Sequence, residues 1–227
     1  MRRSREVVLV GTTPSGESIT LRPVRRGDRD EFLGLRARNA AWLTPWEPTV
    51  PPGGPPRRDM AADWRGNVRA LQREARSGSG LSLVIVVDER IVGMVSASSI
   101  VEGALRSASI GYWVAQEAAG RGYAPTATAL LVDHLMDPNG RALHRVQLEI
   151  RPENAASLAV VAKLGLREEG PSGPSSTSTG RGATAAPSRS CAKRSAPEGC
   201  SRVCHTHNTR HVRDTPSSLR HGCAPTA

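Results

Sequence analysis

Two short stretches of this 227-residue chain carry residue types that could do chemistry. The first is Trp113-Val114-Ala115-Gln116-Glu117-Ala118-Ala119-Gly120-Arg121-Gly122-Tyr123-Ala124. Strand-forming residues end, two glycines allow a tight backbone, and a helical pattern begins. Free backbone N–H groups at such a helix start, with the helix dipole behind them, suit phosphate oxygens. Arg121 would add a charge-assisted contact. Alone, the stretch reads more often as a plain glycine-rich connection. It lacks the third glycine of a dinucleotide fingerprint and the Gly-Lys-Ser/Thr of a nucleotide-triphosphate loop. The second stretch is Arg151-Pro152-Glu153-Asn154-Ala155-Ala156-Ser157. A strand stops at Pro152, Asn154 opens a helix, and Ser157 falls in its first turn. Alone this is a helix cap; a glycine loop feeding one helix and a strand-Asn-x-x-Ser feeding the next are together far more specific.

The elements that must position these residues follow from periodicity. Ile19–Val24 reads as a strand, and Asp28 with Glu31 three residues on predicts the cap of a helix running towards Leu43. A second helix is predicted from Asp59 to Arg76, ended by Gly78. Leu81–Val87, the turn Asp88-Glu89-Arg90 and Ile91–Val101 predict a hairpin, followed by a strand over Ser107–Val114. After the glycine loop, Ala127, Leu130, Leu131 and Leu135 mark one apolar helix face, with His134 read as a packing residue on it. Arg145–Ile150 alternates as a strand, and the helix from Asn154 ends at Gly165. This order predicts a mixed α/β sheet.

Composition divides the chain. Every aromatic residue lies before position 124 and every cysteine after position 190. The net charge is +10, and more than half of it falls after residue 170. Between Pro171 and Ala227 only Val203, Val212 and Leu219 are large and apolar, too few to offset the entropy of ordering. We therefore expect an N-terminal extension over 1–16, a folded domain over 17–170 and a disordered basic tail over 171–227. Pro45–Pro56 reads as an extended loop. No apolar run approaches the ~20 residues of a membrane helix, and no signal peptide is evident, so a cytoplasmic protein is expected. In the tail, Cys200-x₃-Cys204 and His207-x₃-His211 are separated by two residues where a zinc finger needs about 12. No metal site is expected there. The tail arginines are scattered, without the aromatic interleaving of a specific nucleic-acid surface.

Ile110-Gly111-Tyr112-Trp113-Val114, Gly120-Arg121-Gly122, Arg151-Pro152-Glu153-Asn154-Ala155-Ala156-Ser157 and Lys163-Leu164-Gly165-Leu166 resemble the GCN5-related N-acetyltransferases. Leu21-Arg22-Pro23 and Asn39-Ala40-Ala41-Trp42-Leu43-Thr44-Pro45-Trp46 resemble the opening of the RimJ/RimL-like branch, which acetylates N-terminal alanines of ribosomal proteins. The resemblance implies an acetyl-CoA-dependent N-acetyltransferase acting on a primary amine, including a protein N-terminal α-amine. It implies that Gly120, Arg121, Gly122, Tyr123 and Ala124 cradle the pyrophosphate of acetyl-CoA. The backbone at Trp113 and Val114 would pair with the pantetheine arm, and Asn154 would hydrogen-bond to it. Ser157 would protonate the departing thiolate. Glu117 departs from the family's usual Gln or Arg and would repel phosphate unless it points to solvent.

For the base that receives the amine's proton, Glu102, Glu149 and Glu47 are candidates, each also readable as a solvated carboxylate. Proximity alone would supply much of the rate. His144 would qualify only if it faced the thioester. Trp46, inside the proline-rich loop, together with Glu47 suits an acceptor pocket, and Trp42 is read as core packing.

The family continues past Gly170 with two more strands, often containing Gly-x-Trp-x-Asp. With GC-rich codons, Ser176–Thr184 read two bases later gives His-Val-Asp-Gly-Ala-Trp-Arg-Asp. We therefore expect the chain after about Gly170 to be a frameshifted translation and the domain to lack its last strands. Arg145–Ile150 would then keep an unpaired edge. The rival readings are an inactive cofactor-binding remnant and a non-enzymatic basic RNA- or ribosome-binding protein.

Overall fold

The computed structural model describes residues 6–48, 59–172 and 188–194. Most of the proline-rich loop, and the tail cysteines and histidines beyond 194, lie outside these residues.

An eight-stranded mixed sheet runs in the order β1 (Leu9–Thr12), β2 (Ser18–Pro23), β3 (Leu81–Val87), β4 (Arg90–Val101), β5 (Ser107–Val114), β6 (Arg145–Ile150), β8 (Ser188–Arg194), β7 (Arg167–Ser172). β1 (Leu9–Thr12) and β2 (Ser18–Pro23) form a hairpin, so the folded unit begins well before residue 17. Four residues are too few for a periodic signal. What fixes β1 is tertiary: Leu9 is buried, and Gly11 lies under Leu130, whose Cδ1 stands 2.9 Å from where a Cβ would be.

The predicted first helix is interrupted. α1 (Arg29–Arg38) and α2 (Ala40–Leu43) meet at Asn39. Asp28 does not cap α1 as expected. Its carboxylate accepts from the Arg25 N–H (2.7 Å) and takes both Arg22 guanidinium nitrogens at 2.7 and 2.9 Å. Glu31 accepts instead from the Ile91 N–H at 2.8 Å. α3 (Trp64–Ser77) is capped by Asp63, which accepts from the Gly66 N–H, and ends at Gly78 with φ +83. β3 (Leu81–Val87) and β4 (Arg90–Val101) join through Asp88 and Glu89, both at positive φ, the signature of a primed hairpin turn.

β5 (Ser107–Val114), α4 (Tyr123–Met136), β6 (Arg145–Ile150) and α5 (Ala155–Lys163) fall where periodicity put them. α4 buries Ala127, Leu130, Leu131 and Leu135 against the sheet, while His134 is half-buried. Neighbouring strand residues face opposite sides. Trp113 meets Phe32 of α1, whereas Tyr112 reaches α5, so α1 and α5 cover opposite faces. α3 joins the α1 layer through the Phe32–Trp64 ring pair, and α4 joins α5.

β7 (Arg167–Ser172) and β8 (Ser188–Arg194) correct the expectation that the last strands are missing. β8 lies antiparallel to β6 along its whole length, from Arg145 opposite Arg194 to Ile150 opposite Arg189, and β7 pairs with β8. The tail expected to be disordered thus contributes a strand, and β6 has no free edge there. A ladder is made of backbone groups and needs no core-forming side chains, which is why composition gave no warning. Arg145 also reaches Glu169 of β7, its Nη1 2.8 Å from Oε1.

Candidate active site

The site begins where two parallel strands part. β5 and β6 pair over Ser107–Ser109 and Arg145–Gln147 and then diverge. The Ala115 N–H donates to Val92 of β4, so the polar groups of Trp113 point to β4 while those of Tyr112 and Val114 point into the gap. The expected Trp113–Val114 contact is therefore a Tyr112–Val114 edge. The gap opens into a cleft of about 1230 Å³ that passes between the α4–α5 face and the α1–α2 face.

At one mouth lies the glycine loop. Gly120 and Gly122 have φ +80 and +84, and Gly122 is the N-cap of α4. A glycine cap supplies no side-chain acceptor, and the third helical residue is Pro125. Among the described residues no acceptor meets the N–H groups of residues 120–124. A Cβ on Gly120 would meet nothing, so the cradle is open to a ligand. This arrangement fits phosphate oxygens.

Glu117 is exposed and does not line the cleft, which removes the expected repulsion. Arg121 does not line it either. Its guanidinium pairs with Glu17 and lies 5.2 Å from the centre of the Tyr123 ring. Tyr123 is buried and donates its hydroxyl to Glu17 at 2.8 Å. That bond, more than any other contact, holds the Glu17 carboxyl below its usual range; burial, then the bond to Glu17, pushes the Tyr123 phenol up. The β1–β2 turn thus buttresses the loop from behind, with Pro14 Cδ 3.3 Å from where a Gly122 Cβ would sit.

Asn154 caps α5, its Oδ1 accepting from the Ser157 N–H at 3.0 Å, which leaves its amide NH₂ for the cleft. Ser157 also lines the cleft, and its carbonyl accepts from the Tyr112 hydroxyl at 3.4 Å. At the opposite mouth stand Trp46, Glu47 and Glu149. Arg151 donates to the Pro45 carbonyl at 2.8 Å, and Arg36 pairs with Glu47 while its guanidinium lies 5.1 Å from the centre of the Trp113 ring.

Glu102 and His144 are not part of this site. Glu102 follows Val101, which pairs with Ser107 at the far end of the β4–β5 hairpin. Seven residues of strand, ~23 Å, separate that level from Val114. His144 is exposed at the start of β6 with its ring beside Arg106. Trp42, read as packing, lines the cleft and donates its indole N–H to the Val114 carbonyl at 3.2 Å. Sequence reasoning also passed over Tyr112 and Asn39. The first was legible as two residues before Val114 on one strand edge, the second as an asparagine inside a helical pattern.

The site is thus a split between two parallel strands of the sheet, with unpaired amides at one mouth and carboxylates at the other. The chain belongs to the acetyltransferase (GNAT) domain family, whose model matches residues 18–167. It is similar to a probable N-acetyltransferase, YjcK, of Bacillus subtilis, with 28% identity over 160 residues, 68% of this chain and 83% of that protein. It is 23% identical to the ribosomal protein uS5 alanine N-acetyltransferase of Escherichia coli, over 68% of this chain and 77% of that protein. Among solved structures, Mycobacterium smegmatis RimJ in complex with CoA-disulfide superposes with a TM-score of 0.71 and 32% identity, covering 83% of this chain and 87% of that one. The chain is thus an acetyltransferase of the RimJ/RimL kind, in a family that uses acetyl-CoA. Among the described residues no helix is long and apolar enough to cross a membrane.

Proposed function

We propose that this chain acetylates a primary amine, the N-terminal α-amine of a protein, from acetyl-CoA. The observation that carries the reading is the through-sheet cleft with free amides at one mouth and Trp46, Glu47 and Glu149 at the other. Acetyl-CoA supplies the acetyl group as a thioester. The N–H groups of residues 120–124 bind its pyrophosphate, and the Tyr112–Val114 edge and the Asn154 amide hold its arm. A chain terminus fits the second mouth because a neutral amine must present one nitrogen to the gap while the rest stays outside. Glu149 or Glu47, directly or through water, takes the ammonium proton. The amine nitrogen then bonds the acetyl carbon, the C–S bond breaks, Ser157 gives its hydroxyl proton to the departing thiolate, and the nitrogen's surplus proton passes back to Ser157, directly or through water. The similarity to the uS5 alanine enzyme and to RimJ supports a protein terminus as acceptor.

The test is coenzyme A release from acetyl-CoA with alanine-ended peptides, against the same peptides blocked at the α-amine and carrying a free lysine. Turnover confined to free α-amines is the expected result. Acetylation of lysine alone would overturn the terminal assignment. Glu149→Gln and Glu47→Gln tell the two bases apart: the variant of the true base loses 10²-fold or more in kcat with little change in the acetyl-CoA KM.

A further inference from the structure

Asn39 and Trp42 lie on the acceptor side of the sheet, yet both grip the backbone of the cofactor side. Asn39 is 3% exposed. Its Oδ1 accepts from the Gln116 N–H at 2.7 Å, and its Nδ2 donates to the Leu35 carbonyl at 3.1 Å. Both ends of the amide are therefore committed, one to α1 and one to the turn that leads from β5 into the glycine loop. Three residues on, Trp42 donates to the carbonyl of Val114. That carbonyl points into the gap between β5 and β6, where no strand partner exists for it. The two bonds bracket residues 114–116, the passage from the splayed strand edge to the phosphate loop. The Phe32 and Arg36 contacts on the Trp113 ring anchor the preceding residue to the same helix.

We propose that Asn39 and Trp42 are positioning residues for the acetyl-donor site, with separate tasks. Asn39 sets where the 116–124 segment begins and so where the loop amides converge. Without its Asn39 acceptor the Gln116 N–H, part of a half-buried bond, would draw the turn away to find another partner. Trp42 acts on the gap itself. By engaging the Val114 carbonyl it leaves the Val114 N–H as that residue's open polar group there, a donor aimed at whatever carbonyl occupies the arm's slot. Because both side chains belong to the helices beside the acceptor mouth, the acetyl-donor site is completed by the acceptor-side layer.

This inference rests on the acetyl-CoA reading, and its test separates the two. Acetyl-CoA engages the phosphate loop and the gap; acetyl-pantetheine, which has no phosphates, engages the gap alone. Asn39→Ala is expected to lower kcat/KM about tenfold with acetyl-CoA, through KM and not kcat, and less than twofold with acetyl-pantetheine. Trp42→Phe, which deletes only the N–H and the outer ring, is expected to lower kcat/KM with both donors by a similar factor. Asn39→Asp keeps the acceptor for the Gln116 N–H but loses the donor to the Leu35 carbonyl, and is expected to restore only part of the acetyl-CoA affinity lost in Asn39→Ala. Amide hydrogen exchange on the full chain gives a second readout: Asn39→Ala should speed exchange at Gln116 and residues 120–124 and leave β3 and β4 unchanged.

Equal losses with both donors in Asn39→Ala, or unchanged exchange in that segment, would overturn the proposal. Failure of the unmodified chain to bind coenzyme A would instead refute the underlying acetyl-CoA reading. If Asn39→Ala does not fold, the Trp42→Phe comparison and Asn39→Asp decide the matter.

Discussion

Replacing Gly122 by valine should damage acetyl-CoA binding far more than replacing Ala119 by valine, although the two positions are three residues apart in one loop. Gly122 sits at φ +84, where an L side chain costs about 1–2 kcal/mol, and a β-branched one at least that. Its new Cβ would also lie 3.3 Å from Pro14 Cδ and 3.7 Å from Thr13 Cβ, so the branch meets the buttressing β1–β2 turn. The loop relieves this by rotating Gly122 out of the N-cap position, which turns the first amides of α4 away from the ligand. Losing one charge-assisted bond to a phosphate costs about 1.5–3 kcal/mol. A net loss of about 2–3 kcal/mol corresponds to roughly 30- to 150-fold in affinity. Ala119 has φ −68 and ψ 151, extended backbone in which valine is at ease. Titration calorimetry with coenzyme A, with thermal melts to confirm folding, is the assay. Equal affinities in the two variants would refute the assignment of this loop to the phosphates.

Asp28→Ala should cost about 3 kcal/mol of stability in urea unfolding, because it leaves the nearly buried Arg22 guanidinium unpaired and the Arg25 N–H without its acceptor. Tyr123→Phe should alter acid stability: Glu17 is held below its ordinary pKa chiefly by the Tyr123 hydroxyl, so its contribution is present above the unfolded carboxylate range and is lost as pH falls through the lowered value. Melts from pH 7 to pH 3 should therefore show a smaller acid-side loss in Tyr123→Phe than in the unmodified chain. On the alkaline side the raised Tyr123 pKa stabilises the fold below its unfolded value and ceases to do so as pH rises through the raised one, a step the phenylalanine variant should lack. A chain ending at Gly170 should melt lower and aggregate more readily than the full chain, because it removes β8 and bares the Arg145–Ile150 edge; composition alone predicts no change, so equal melts would mean that β8 contributes nothing.

Wherever local chemistry was decisive, the elements and half of the site could be read from the residues in order. Gly78, Gly122 and Gly165 stand at positive φ at helix ends, Asn154 caps its helix with its own side chain, and the alternation of Arg145–Ile150 fixes which side chains are buried, whereas the helix expected from Asp59 starts only at Trp64, capped by Asp63. The glycine loop and the Asn154–Ser157 helix start were legible for the same reason, since each is a contiguous stretch whose backbone geometry its own residues dictate. Tertiary structure alone decided what lies between them. The divergence of β5 from β6 after Ser109 places Glu149 in the cleft and Glu102 at the far end of its hairpin, though both are single carboxylates beside strands. Asp28 left the predicted cap for Arg22 because a bidentate guanidinium was within reach, and Glu31 went to β4. β1 and β8 escaped composition because their place is set by backbone pairing with strands already in the sheet. Asn39 reaches Gln116 across 77 positions and Trp42 reaches Val114 across 72, contacts that no local pattern encodes because the sheet brings them together only after it has formed.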